Sequence, residues 1–192
     1  MFDSITATLL PFWKLMARGM QGTLLIRHGE LTAGTALLRS ALEAFRELGW
    51  MKCFPDMVGS LAEGLSGLGQ PCEAIATIDE ALARAEQGGG RWCQPELLRI
   101  KGELLLNANG ALDHGVEGCF RSAMGLARKQ GALLFELRAA TSLVRAKSDR
   151  ERPVAARECL APIYARFTEG FKTADLRTAQ ALLEGISPVQ SR

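Results

Sequence analysis

Four small residues stand at an unbroken interval of 40: Gly22, Ala62, Gly102 and Ser142. Each lies inside an apolar run with helical spacing. A second pattern follows each one: Gly34, Leu38 and Ala41; Ala74, Ile78 and Ala81; Val116, Phe120 and Ala123; Ala156, Leu160 and Ile163. The last positions are spaced by 40, 42 and 40, and only Ile163 among them is not small. Residues three and four apart share one helix face. A small side chain lets a partner helix approach closely, and the large one fills the space beside it. Two helical patterns per copy, recurring at this interval, are the signature of stacked helix hairpins. A plain bundle with chance register would not repeat the pattern four times at near-equal spacing.

The expected fold is all-α: a right-handed superhelix of about four antiparallel helix hairpins with a C-terminal capping helix. Residues 1–10 read as a lead-in, and 11–186 as a single helical-repeat domain. The hairpins span about 11–49, 53–87, 94–130 and 132–170, the cap 174–185, and a frayed tail 187–192. Pro11, Pro55, Pro71, Pro95 and Pro153 suit first turns, where the missing N–H is not needed. Thr32 and Thr173 are placed to cap helices. Gly49, Gly67 to Gly69, Gly88 to Gly90 and Gly131 mark stops, Asn107 to Gly115 a turn, and residues 148–152 a charged turn. Pro162 falls inside a helical pattern that runs through Phe167 and predicts a bend there. Asp175-Leu-Arg-Thr-Ala echoes Glu136-Leu-Arg-Ala-Ala 39 residues earlier, as the first helix of a further repeat would.

Charge and cysteine usage narrow the function classes. The formal net charge of +2 is too small to point to nucleic acid. Residues 1–96 carry 8 Lys and Arg against 11 Asp and Glu, and residues 97–192 carry 15 against 10. The second half therefore suits an acidic partner, or simply presents a solvated helix surface. The five cysteines (53, 72, 93, 119 and 159) form no Cys-x-x-Cys pair and are odd in number. They read as partly buried thiols of a reducing, cytoplasmic compartment. No apolar run is long enough to span a membrane.

Chemistry-bearing constellations are sparse. A nucleophile site needs a thiol or hydroxyl with a histidine beside it, and the only histidines, His28 and His114, fall in predicted turns, which leaves a Cys–His pair across repeats as the one such arrangement open. Clustered metal ligands are lacking, so no metal and no cofactor is expected. The glycine run 88–90 is not followed by the Lys-Ser/Thr of a phosphate loop. The expected working surface is the concave face of the superhelix, lined by the first helix of each hairpin. Positions six and three before the small residue, and one and five after it, select Glu96, Arg99, Glu103 and Asn107 in the third hairpin. The same offsets select Asp56 and Glu63 in the second and Glu136 and Lys147 in the fourth. These eight residues form the candidate partner-binding groove. Arg99 and Glu103, at i and i+4, are equally placed to pair with each other.

The small–large–small pattern resembles tetratricopeptide repeats, with a longer period than their usual ~34 residues. Three stretches look more specifically like the C-terminal repeat region of large bacterial regulators. They are Arg91-Trp-Cys with Glu96-Leu-Leu-Arg-Ile-Lys-Gly-Glu-Leu-Leu-Leu106, Gln130-Gly-Ala with Glu136-Leu-Arg-Ala-Ala-Thr-Ser-Leu143, and Ala161-Pro-Ile-Tyr-Ala-Arg-Phe-Thr-Glu-Gly-Phe171 with Thr173-Ala-Asp-Leu176. In that family a winged-helix or nucleotide-cyclase domain precedes a P-loop ATPase, and helical repeats follow. The chain carries no Walker motif, cyclase signature or winged helix, so the family's ATP-binding and catalytic residues have no counterparts. The resemblance implies the interaction module alone. The expectation is a non-catalytic scaffold for a protein or peptide, an ATPase, cyclase or regulator being the partner class implied. It would not bind nucleic acid directly or enter a membrane, and it could pair as a homodimer. The alternative is a small-effector sensor that tunes a separate ATPase or cyclase.

Overall fold

The computed structural model describes residues 2–49, 54–88, 90–147 and 151–185. The ordered elements among them are all helical. They divide into two compact units, Met1–Arg91 and Trp92–Arg192. The predicted tail 187–192, residues 148–150 of the charged turn, Gly89 and Cys53 lie outside the described residues.

The first unit holds α1 (Phe2–Arg27), α2 (Leu31–Glu47), α3 (Pro55–Gly67) and α4 (Pro71–Gly88). α1 packs on α2 and α3, α2 on α3, and α3 on α4. The small residues sit where helices cross. A methyl placed on Gly22 would lie 2.8 Å from Leu38 Cγ and 3.0 Å from the Gly34 carbonyl oxygen. Leu38 is completely buried as a result, and Phe45, Leu65 and Ile78 complete the interior. The Phe45 ring stacks on Phe54 with centroids 4.3 Å apart. Ala81 is only half-buried, so the third member of the pattern is not a core residue in this copy.

Two expectations need correcting here. α1 starts at Phe2, so residues 2–10 are helix rather than lead-in, and Pro11 lies inside the helix. The apolar spacing Ile5, Leu9, Phe12, Met16 already runs through the proline at helical period. Thr32 does not cap α2: the N-cap is Glu30, whose carbonyl accepts from Gly34 N–H at 2.9 Å. The helix has begun before Thr32 is reached.

The second unit holds α5 (Gln94–Asn109), α6 (His114–Gln130), α7 (Leu133–Ala146) and α10 (Ala174–Glu184). Between α7 and α10 runs a composite arm: α8 (Arg152–Ala155), a π-helical segment (Ala156–Leu160) and α9 (Ala161–Tyr164). α5 packs on α6 and α7, and α7 on α6, the composite arm and α10. A methyl on Gly102 would lie 2.7 Å from the Phe120 ring, so the crossing of α5 and α6 repeats that of α1 and α2. Phe120, Leu137, Leu143, Leu160 and Leu176 form one buried cluster.

The helix ends follow from local chemistry. Asp113 caps α6 by accepting from Val116 N–H at 2.8 Å. α5 runs to Asn109, which shortens the predicted turn to residues 110–113. Gly131 takes φ +69°, and Ala132 N–H then reaches the Ala127 carbonyl at 2.9 Å, closing α6 as a left-handed cap. Pro162 stands at the start of α9, directly after the π segment. Proline has no N–H and its ring crowds the carbonyl four residues back. The wider π turn is the form the predicted bend takes. The arm ends at Tyr164, three residues before Phe167. Thr173 is the N-cap of α10, as expected, although its hydroxyl makes no capping bond.

Candidate interaction surface

The first turns of α3, α5, α7 and α10 each carry a carboxylate: Asp56, Glu96, Glu136 and Asp175. A negative charge there is favoured by the unpaired N–H groups of the helix start. In the second unit three of these carboxylates are met by arginines from other elements. Glu96, which is 4% exposed, bonds Arg99 at 2.8 Å and accepts from Arg138 at 3.5 Å. Arg138 on α7 reaches on to Asp175 of α10 at 2.9 Å. Arg99 also holds Glu103 at 2.9 Å, and Glu103 accepts from the Ser142 hydroxyl at 2.6 Å. One continuous ladder of charge thus ties α5, α7 and α10 together.

Glu136 is fully buried. Arg128, in the last turn of α6, donates to one oxygen at 2.8 Å, and Arg166 donates to the other at 2.7 Å. Lys147 bonds Glu117 of α6 at 2.9 Å. That hydrogen bond, followed by the one from Arg121, holds the Glu117 carboxyl below its ordinary range. Val116 N–H does the same for Asp113. For Arg138, burial works against the charge, but the bond to Asp175 and the field of Glu96 outweigh it and raise the guanidinium.

The predicted groove residues therefore separate. Glu96, Arg99, Glu103, Glu136 and Lys147 are engaged in internal ion pairs, the Arg99–Glu103 pair among them. Asn107 on α5 is exposed, as are Asp56 and Glu63 on α3 of the first unit. Arg138, Asp175, Arg128 and Arg166 were not selected by the offsets. The echo of Glu136-Leu-Arg138 in Asp175-Leu-Arg177 held the signal for the first two. Arg128 and Arg166 lie 8 and 30 residues from Glu136, with no local pattern to mark them.

Beside the ladder lies an open groove of about 550 Å³ between the end of α7 and α10. Arg145, Arg177 and Thr178 supply its polar wall, and Ala174, Ala181 and Leu182 its apolar floor. Arg145 and Arg177 are exposed, and neither makes an ion pair among the described residues. Two cations over a small apolar surface suit a carboxylate-bearing segment with an apolar residue beside it.

Among the described residues no group of three His, Cys, Asp or Glu is gathered to hold a metal, and no helix is long and apolar enough to cross a membrane. His28 lies in the turn after α1 and His114 opens α6. Cys72 is an exposed thiol, Cys93 is buried, and Cys119 and Cys159 are half-buried. No protein-family model matches the chain, and no curated protein matches it.

Proposed function

We propose that the chain is a non-catalytic scaffold that binds an acidic peptide segment of a partner protein. The hairpins within each unit are tetratricopeptide-like repeats in this reading, with α10 as the cap of the second unit. The recurrence of the same glycine-against-large crossing in α1–α2 and α5–α6 supports the repeat reading. The observation that carries the binding reading is the α7–α10 groove. Its neighbours' charges are spent on one another, while Arg145 and Arg177 face solvent. The resemblance of residues 91–176 to regulator repeats supports placing the scaffold in a bacterial signalling or transcriptional regulator.

The test is a peptide-display selection on the full chain, followed by titration of the best ligand. Selected sequences are expected to be rich in Asp and Glu. Arg145→Glu with Arg177→Glu should weaken binding at least ~30-fold, since each desolvated charge contact is worth on the order of 1–2 kcal/mol. Unchanged affinity, or ligands without acidic residues, removes the groove from consideration. Arg99 and Lys147 are poorer probes, because reversing either would break an internal ion pair as well.

A further inference from the structure

The first unit carries an open groove of about 320 Å³ between α2 and α4. Leu42 of α2 and Val58 and Leu61 of α3 form its floor, and Ala81 of α4 one wall. Ala81 is half-buried, whereas Ile163, at the same place in the fourth hairpin, is buried. A small residue here leaves the hollow open. Ion pairs bridge α2 to α4 at two levels, seven residues apart on each helix. Arg39 meets Glu73 at 2.6 Å, and Arg46 meets Glu80 at 3.3 Å. Arg84 joins Glu80 at 2.6 Å.

The second unit shows what this arginine pair can hold. Arg46 lies five after Ala41, as Arg128 lies five after Ala123, and Arg84 lies three after Ala81, as Arg166 lies three after Ile163. Arg128 and Arg166 grip the two oxygens of one carboxylate, that of Glu136. In the first unit the place of Glu136 belongs to Asp56, which is one methylene shorter, exposed, and makes no ion pair among the described residues. Arg46 and Arg84 turn instead to a single oxygen of the exposed Glu80, each through one terminal nitrogen. The other N–H groups of both guanidiniums stay available to a second carboxylate. Arg99 shows such sharing, holding Glu96 at 2.8 Å and Glu103 at 2.9 Å. Glu43, one turn before Arg46, also lines the groove and makes no ion pair among the described residues. A lone carboxylate and an arginine pair with donors to spare thus stand about 4.5 Å apart along the helix axis.

We propose that this groove binds a free α-amino acid with an apolar side chain. Its carboxylate lies between Arg46 and Arg84, its ammonium on Glu43, and its side chain on Leu42, Val58 and Leu61. The groove presents three arginines and three glutamates, a neutral set that a zwitterion matches at both charges. An apolar acid without the ammonium would cover Glu43 without pairing it, and an amine without the carboxylate would do the same to the arginines. The volume stands at the small end of the range for ligand pockets, as suits a molecule of this size. Every residue of the site belongs to the first unit, and none takes part in the α7–α10 groove.

The test is a titration of the isotope-labelled full chain with L-leucine, followed by amide chemical shifts. Saturable shifts are expected in α2 and α4. Isocaproate is leucine without its ammonium, and isoamylamine is leucine without its carboxylate. Each should bind at least ~10-fold more weakly. Arg46→Gln with Arg84→Gln should weaken leucine at least ~10-fold as well, and so should Glu43→Gln. All three side chains reach solvent, so circular dichroism of these variants should be unchanged. Leucine that saturates no set of shifts overturns the proposal. So do single-charge analogues that bind as tightly as leucine, or full affinity in the arginine double variant. Arg145→Glu with Arg177→Glu should leave leucine binding intact; its loss there would place the ligand in the other groove and overturn the assignment. This result and the acidic-peptide reading therefore stand or fall separately.

Discussion

Glu136 is a carboxylate with no exposure, held by Arg128 and Arg166, whose side chains remain 65% and 49% exposed. The two sides of this contact are unequal. If the carboxylate is neutralised, both arginines can rehydrate. If the arginines are removed, a charge stays buried without compensation. Glu136→Gln should therefore cost about 1–3 kcal/mol of folding stability, as for a lost charged hydrogen bond. Arg128→Ala together with Arg166→Ala should cost more, about 3–5 kcal/mol. Urea denaturation measures both, and the reverse order would show that the buried charge is not what the arginines stabilise. Sequence reading located Glu136 through its place in the repeat, but set it in an open groove. Its burial depends on Arg166, 30 residues away, and no local pattern reports such a partner.

At the level of elements, glycine has two different roles that composition cannot separate. Gly102 faces the Phe120 ring at a crossing, whereas Gly118 on α6 has nothing within 4 Å of its would-be side chain. Gly102→Ala should destabilise by about 1–3 kcal/mol through overpacking, less what the better helix former returns. Gly118→Ala should stabilise by up to ~1 kcal/mol. Thermal melts of the two variants should move in opposite directions; a shared direction would mean that Phe120 can yield. The crossing was legible because a 40-residue interval marks Gly102 as equivalent to Gly22. Helix limits were legible wherever proline or glycine sets them, as at Pro71 and Gly131. They were missed where the deciding partner is backbone, as at Glu30, or where an apolar stripe runs through a proline, as at Pro11.

For the molecule as a whole, the proposed peptide-binding surface rests on exposed charge and should respond to salt. Arg145 and Arg177 are exposed charges, screened over about 8–10 Å at ordinary ionic strength. Raising sodium chloride should weaken acidic-peptide binding severalfold in the same titration. Affinity that is constant in salt would show that the contact is not made by these charges. The helical class was readable from periodicity alone. The α7–α10 groove was not, because which arginines stay exposed is decided by pairings such as Arg138 with Glu96, 42 residues apart. One further consequence comes from the left-handed glycines that close α5 and α6. Gly110 and Gly131 both take φ +69° with nothing within 4 Å. Those sites have room for a side chain, so chirality rather than volume selects the residue. An L-alanine there meets a backbone penalty of roughly 1–2 kcal/mol. Its mirror image, D-alanine, finds that same backbone its natural one, so in a chemically synthesised chain the ends of these helices are where the opposite hand belongs.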